Sequence, residues 1–246
     1  MAKGNFAACL AKTLAWEGGW SDNARDPGGA TMKGITLATY RQHLAGATKA
    51  QLRAISDAEV EAIYRDGYWR PVKGEDLPAG IDLATFDYGV NSGPGTAARQ
   101  LQRVVAVSAD GVIGPNTLKA VKIEPAADVI KKLCARRIGA LRSLAIWNTF
   151  GKGWSRRVAS IEASALAMVL SKPELEREAD NATVRAGAQA GGAGGAIVGG
   201  IATDQTQVLP IGFVIAAVAI VVGILIVRTV INRQRAAALA AAAKEA

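Results

Sequence analysis

Hydrophobic residues recur at helical spacing near the start of the chain. Apolar side chains appear about every four residues between Phe6 and Leu14, which predicts a helix from about Asn5 to Glu17 that a Gly-Gly pair ends. Residues 22–36 contain too much glycine, proline and aspartate for a helix and predict short strands or a hairpin.

Helical patterns dominate the residues that follow. Ser56 and Glu59 have the spacing of a capping box, which predicts a helix through about Arg65. Further helices are predicted at residues 81–90 and 96–105, from Pro115 onward, and at 126–147 and 154–170, with Gly151 and Gly153 separating the last two. The predicted fold class is therefore mainly α: one helical domain with a small β element near its N-terminus.

The pattern changes near residue 172. Residues 173–207 are charged and then glycine-rich, which predicts a flexible linker. Residues 208–230 predict a single transmembrane helix, because about 20 apolar residues span about 30 Å of bilayer core. The basic tail at 231–246 is then expected in the cytoplasm, with the globular domain outside. The N-terminus does not resemble a secretory signal, so the export route stays open.

The positive charge of the chain lies mostly on the globular part. The net charge is +8, and residues 1–170 hold 22 Lys+Arg against 15 Asp+Glu. A basic domain is attracted to nucleic acid, anionic lipid or bacterial cell wall. No zinc-finger, basic-zipper or RNA-binding motif is present, so nucleic acid is not the expected partner. One histidine and two separated cysteines do not favour a metal site, and no cofactor is predicted.

Glu17 has the most distinctive setting for chemistry. It is expected at the end of the first helix beside Trp16 and Trp20, where burial and the negative end of the helix dipole both disfavour a charged carboxylate. A carboxyl group in that setting is placed to keep its proton near neutral pH and to donate it to a glycosidic oxygen. The alternative is a solvated carboxylate at a helix end, which the dipole disfavours.

The order Glu17, Asp26, Thr31 resembles the Glu-Asp-Thr triad of phage-type lysozymes, with one residue fewer before the threonine. The motif EGG followed by DPGGATMKGIT is similar to glycoside hydrolase family 108, the bacterial and phage N-acetylmuramidases. DYGVNSGPGTAARQLQ and ADGVIGPNTLKAV extend the resemblance over about residues 5–170.

This resemblance implies a lysozyme-like α+β fold. It implies a catalytic region at 1–108 and a peptidoglycan-binding-like helical region at 109–172 packed with it. Glu17 corresponds to the catalytic acid of the family. Asp26 and Thr31 are expected to position the attacking water, although Asp26 is equally compatible with an Asx-turn and Thr31 with a simple strand residue. Asp22 competes with Asp26 for its role.

Four residues are candidates for substrate binding. Trp20, Trp69 and Tyr88 have aromatic faces that suit the apolar side of a sugar ring, with packing in the core as the alternative for each. Asn91 is expected to bind an N-acetyl group, or else to cap a helix.

The leading function is hydrolysis of the β-1,4 bond between N-acetylmuramic acid and N-acetylglucosamine. The alternatives are a lytic transglycosylase acting on the same bond and a non-catalytic wall-binding membrane anchor. The expected partners are peptidoglycan glycan strands, a membrane through residues 208–230, and a secretion apparatus. The expected location is the inner membrane, in a single pass, with the catalytic domain in the periplasm.

Overall fold

The computed structural model describes residues 4–23, 28–199 and 211–246, with backbone alone from 189 to 199 and from 211 to 223. Within these residues the chain forms helices and one two-stranded antiparallel sheet, with a hydrophobic core among the helices. The elements are α1 (Phe6–Leu14), β1 (Thr31–Met32), β2 (Ile35–Thr36), α2 (Leu37–His43), α3 (Lys49–Arg53), α4 (Asp57–Tyr64), α5 (Ile81–Ser92), α6 (Pro94–Val104), α7 (Pro115–Ile123), α8 (Ala126–Arg142), α9 (Trp147–Ala167), α10 (Lys172–Gly199) and α11 (Ile211–Glu245).

The N-terminal elements confirm a helix followed by a hairpin. α1 ends at Leu14, three residues before the predicted end, and the amide of Glu17 donates to the carbonyl of Leu14 at 3.0 Å in the turn that follows. The hairpin pairs β1 with β2, and its turn residues Lys33 and Gly34 have φ of 49° and 76°. Positive φ at both positions is the geometry of the tightest hairpin turns, whose twist matches that of the strands.

The capping box at Ser56 and Glu59 is present, and it starts α4. A π-helical turn, Arg65–Trp69, continues α4. α5 lies at the centre of the fold: its first nine residues are buried, and it packs against α1, α6, α8 and α9. The regions before and after residue 109 therefore share one hydrophobic core.

Two helices are present in this region as predicted, but the break predicted at Gly151 and Gly153 is wrong, because α8 ends at Arg142 and α9 runs without a break from Trp147 to Ala167. A Cβ atom at Gly151 would lie 2.6 Å from the ring of Trp147. The missing side chain thus gives the indole space against its own helix, and this packing compensates for the low helix propensity of glycine.

The predicted flexible linker is also wrong over its described part, because α10 extends to Gly199. The side chain of Glu174 accepts hydrogen bonds from the amide and hydroxyl of Ser171, at 2.8 and 2.6 Å. Leu175, Ala179 and Ala182 are buried on one face of α10, which packs against α11 and, more lightly, α9. A cap and an apolar stripe thus stabilise a segment whose composition alone favours a linker. Residues 200–207 of the predicted linker lie outside the described part.

The described residues contain no helix that is both long enough and apolar enough to cross a bilayer. Of the predicted span at 208–230, residues 208–210 lie outside the described residues, 211–223 are described by their backbone alone, and 224–230 are described with their side chains. The tail at 231–246 belongs to α11 and packs against α9, where Leu239 and Ala243 are buried. In this arrangement the tail lies against the same domain as Glu17, and the location of the two relative to a membrane stays a prediction.

Candidate active site

Glu17 lies in the turn after α1, partly shielded from solvent. Its side chain is 18% exposed, and its Oε1 lies 2.8 Å from Nη1 of Arg157. Arg157 comes from the middle of α9, 140 residues along the chain, and is itself buried. The ion pair therefore fixes the Glu17 carboxylate against the core instead of leaving it free to rotate.

Arg157 also contacts a second carboxylate. Its Nη2 donates to Oδ1 of Asp87 at 2.8 Å, and Nη1 of Arg137 donates to Oδ2 of the same residue at 2.6 Å. Asp87 is fully buried in α5, where burial raises its pKa, but the two arginines outweigh this effect and the pKa is lowered overall. The carboxyl groups of Glu17 and Asp87 and the guanidinium groups of Arg137 and Arg157 thus form one connected network.

The turn of the hairpin closes over Glu17. A Cβ atom at Gly34 would lie 2.8 Å from Oε2 of Glu17 and 2.6 Å from the hydroxyl of Tyr64, so no other residue fits there without displacement. Tyr64 donates its hydroxyl proton to the carbonyl of Lys33 at 2.7 Å, which ties the turn to α4. Burial raises the pKa of Tyr64, and the nearby carboxylate of Glu17 raises it further.

Tyr68 is a second tyrosine near the carboxylate, and its side chain is partly exposed. Its ring lies 5.5 Å from that of Tyr64, and its pKa is raised by burial and then by Glu17. It lies in the π-helical turn, which projects side chains out of the register of α4.

Backbone hydrogen bonds join the two ends of the loop that follows Glu17. The amide and carbonyl of Thr31 both pair with Ser21, at 2.8 and 2.9 Å. The hydroxyl of Thr31 donates to the carbonyl of Gly29 at 3.1 Å. Asp26 lies outside the described residues, so its catalytic role stays a prediction. Its competitor Asp22 is an exposed residue in an ion pair with Lys49 at 2.9 Å.

Two of the four predicted sugar contacts are in the core. Trp69 is 0% exposed and its indole donates to Glu75 at 3.1 Å, while Tyr88 is 1% exposed. Neither ring face is accessible to a ligand, so the prediction that they stack on sugars is wrong and the alternative, core packing, holds. Trp20 is partly exposed, with the guanidinium of Arg53 5.7 Å from its ring centroid, and Asn91 is exposed at the end of α5.

Sequence reasoning missed Arg157, Tyr64 and Tyr68. No local pattern marks Arg157, because its functional contact crosses from α9 to the turn after α1. Asp87 begins the motif DYGVNSGPGTAARQLQ, so the motif did point to this region, although not to an ion pair with Arg157.

A mainly helical fold with a small hairpin beside a partly shielded carboxyl group is consistent with the class of lysozyme-like glycoside hydrolases, in which a carboxylic acid protonates the leaving oxygen. The comparisons agree. The family model described as Glycosyl hydrolase 108 matches residues 10–93. The solved structure of Brucella abortus SagA is similar to the chain at 44% identity and a TM-score of 0.64, covering 69% of this chain and 98% of that one. No curated protein matches.

The chain therefore belongs to glycosyl hydrolase family 108. It is a glycoside hydrolase that acts on peptidoglycan.

Proposed function

We propose that the chain hydrolyses the β-1,4 bond between N-acetylmuramic acid and N-acetylglucosamine, with Glu17 as the general acid. One observation carries the proposal: Arg157 holds Oε1 of Glu17 at 2.8 Å, and Gly34 of the hairpin turn approaches Oε2 so closely that a Cβ atom there would lie 2.8 Å from it. The ion pair and the turn thus hold the side chain of Glu17 in one orientation. A fixed acid group is what proton transfer to a bound glycosidic oxygen requires.

In this scheme Glu17 gives its proton to the glycosidic oxygen as the bond from that oxygen to the anomeric carbon breaks. Water then adds to the anomeric carbon and releases a proton to a base. The hydroxyl of Thr31 already uses its proton on the carbonyl of Gly29, so its lone pairs are available to accept a hydrogen bond from that water. With Asp26 as the second carboxylate, attack by a positioned water inverts the anomeric configuration.

Trp20 and Asn91 remain candidate sugar contacts. Both are accessible, in contrast to Trp69 and Tyr88. The ring of Trp20 offers an apolar face for a pyranose, and the amide of Asn91 offers both a donor and an acceptor for an N-acetyl group.

The test compares Glu17→Gln with the wild-type chain on purified peptidoglycan, by turbidity and by mass spectrometry of the released muropeptides. Glu17→Gln keeps the shape of the side chain but has no proton to donate, so the rate is expected to fall by at least about 100-fold. Glu124→Gln is the matched control, because Glu124 is an exposed carboxylate at the end of α7. Undiminished lysis by Glu17→Gln would exclude Glu17 as the acid.

The same mass spectra separate hydrolysis from transglycosylation. Hydrolysis adds one water to each cleaved bond and leaves reducing ends, whereas transglycosylation leaves 1,6-anhydro ends. Anhydro products from the wild-type chain would replace the hydrolase proposal with the transglycosylase.

We propose that the domain that carries Glu17 lies on the periplasmic side of the inner membrane, because its substrate lies there. Protease added to cells with a permeabilised outer membrane should then digest this domain while a cytoplasmic marker stays intact. Protection equal to that of the marker would contradict this placement.

A further inference from the structure

Two aromatic rings stack on each other at the start of α9. The ring centroids of Phe150 and Trp154 lie 5.7 Å apart with an angle of 27° between the ring planes. Phe150 is 51% exposed, and Trp154 is partly buried against the core. The result is a flat apolar surface that is anchored on one side and open on the other.

This pair lies on the same face of α9 as Arg157. Phe150, Trp154 and Arg157 follow one another at intervals of four and three residues, which places them in one row along a helix. Seven residues of helix rise correspond to about 10 Å between Phe150 and Arg157 along the axis. Because Arg157 contacts Glu17, the row leads from the aromatic pair to the proposed acid.

The packing of α5 against α9 relates Asn91 to the aromatic pair. Gly80, just before α5, lies against Ala165 of α9, and Asp87 in α5 pairs with Arg157. The two helices are therefore antiparallel, so the end of α5 that carries Asn91 runs toward the level of Trp154. An exposed amide and an exposed aromatic pair thus occur at the same end of these two helices.

The other side of α9 is already covered. Gly151 and Ser155 border a cavity of about 380 Å³ against Val227 and Val230 of α11, together with Trp147. Phe150 lies about 100° around the helix from Gly151, on a different face of α9. Among the described side chains, Phe150 is not one of those that line this contact with α11.

We propose that Phe150 and Trp154 form a sugar-binding subsite that stacks on a pyranose ring of the glycan strand, some distance along the strand from the bond that is cut. The inference rests on the proposed function, because it uses Glu17 to define where the strand lies. Aromatic rings suit this role because the C–H face of a pyranose is apolar. The occupant is a sugar of the same strand that Glu17 cleaves.

The experiment measures binding of glycans to the full chain carrying Glu17→Gln. The probes are soluble peptidoglycan chains of four disaccharide units and of one unit. Phe150→Ala is expected to weaken binding of the long chain about three- to tenfold and to leave binding of the single disaccharide unchanged. Phe150→Tyr, which keeps the ring, should bind the long chain as the parent does.

Two controls separate stacking from general effects. Phe150→Leu keeps apolar bulk without a flat ring and should lose affinity as Phe150→Ala does. Ile123→Ala removes another exposed apolar side chain, at the end of α7, and should bind normally. Unchanged binding by Phe150→Ala, full binding by Phe150→Leu, or an equal loss for the single disaccharide each overturns the subsite.

The proposed function fails in a different way from the subsite. If Glu17 is not the acid, mass spectrometry will show the long chain shortened by the Glu17→Gln protein. The subsite fails when the probe stays intact and the affinities of the Phe150 variants do not differ.

Discussion

Arg157 donates to the carboxylates of Glu17 and Asp87 at the same distance, 2.8 Å, through the two different terminal nitrogens of one guanidinium group. A planar guanidinium group can serve two anions in this way, whereas an ammonium group acts as a single point charge. Asp87 is held in turn by Arg137 at 2.6 Å. The orientation of the proposed acid thus depends on a buried network that spans α5, α8 and α9.

Arg157→Lys tests this dependence while keeping the positive charge. A lysine cannot contact both carboxylates in the same geometry, so Glu17 should lose its fixed orientation and kcat should fall about 10- to 100-fold. KM should change little, because Arg157 is buried behind Glu17. The measurement is turnover of soluble peptidoglycan fragments, with thermal unfolding in parallel. A raised KM with an unchanged kcat would instead mean that Arg157 contributes to substrate binding.

Gly34→Ala tests the close approach of the hairpin turn. The new Cβ atom would lie 2.8 Å from Oε2 of Glu17, so the turn or the carboxylate must move, and activity should fall at least about tenfold. Gly46→Ala is the matched control: its φ is 74°, close to the 76° of Gly34, but nothing lies within 4 Å of the added atom. Gly46→Ala should lose about 1 kcal/mol of stability from backbone strain, and Gly34→Ala should lose more, because its added atom also displaces a neighbour. Equal activities of the two variants would show that the close approach does not matter.

The sequence predicted short strands or a hairpin, the capping box at Ser56 and the position of Glu17 near the end of the first helix, because each depends on residues close together in the chain. The buried ring of Trp69 and the partner of Glu17 could not be predicted this way. Aromatic residues occur both in cores and in sugar-binding clefts, and only the packing of distant helices decides between them.

In the C-terminal region, composition led to the prediction of a linker where the structure has a helix. Glycine and charge in residues 173–199 favour a linker by composition, but α10 gains stability from a partner helix that no local pattern reveals.

A link of this chain to a secretion apparatus remains a prediction from the resemblance.

Asp87→Asn should destabilise the fold by about 3–5 kcal/mol, because it leaves the buried guanidinium group of Arg137 without its anion and leaves Arg157 with Glu17 alone. The pKa of Asp87 is lowered from its ordinary value of 3.8, so its contribution to stability is present above that pH and is lost as the pH falls through the folded value. Urea unfolding between pH 3 and pH 7 checks both points. The wild-type chain should lose stability below about pH 4, and the variant should lose less. If the free energy of unfolding changes with pH in the same way for both proteins, ionisation of Asp87 does not contribute to stability.

The buried carboxyl group of Glu162 is expected to change stability with pH in the opposite direction to Asp87. It lies in α9, is buried, and pairs with Arg235 of α11 at 2.7 Å. Burial raises its pKa from 4.5 to about 7 although Arg235 opposes the rise, and Glu178 adds to it while Lys131 lowers it. For a raised pKa the contribution to stability is full below the unfolded value and is lost as the pH rises through the folded value. The free energy of unfolding of the full chain should therefore decrease between about pH 5 and pH 8, by up to about 3 kcal/mol.

Glu162→Gln isolates this contribution. Glutamine does not titrate and still accepts a hydrogen bond from Arg235, so the decrease between pH 5 and pH 8 should be much smaller than in the wild-type chain. Glu124→Gln removes an exposed carboxylate and should keep the wild-type slope. The measurement is urea unfolding at several pH values, followed by tryptophan fluorescence, since Trp147 and Trp154 lie on the same helix as Glu162. A Glu162→Gln curve with the wild-type slope would mean that the contact between α9 and α11 does not bury this carboxyl group in solution.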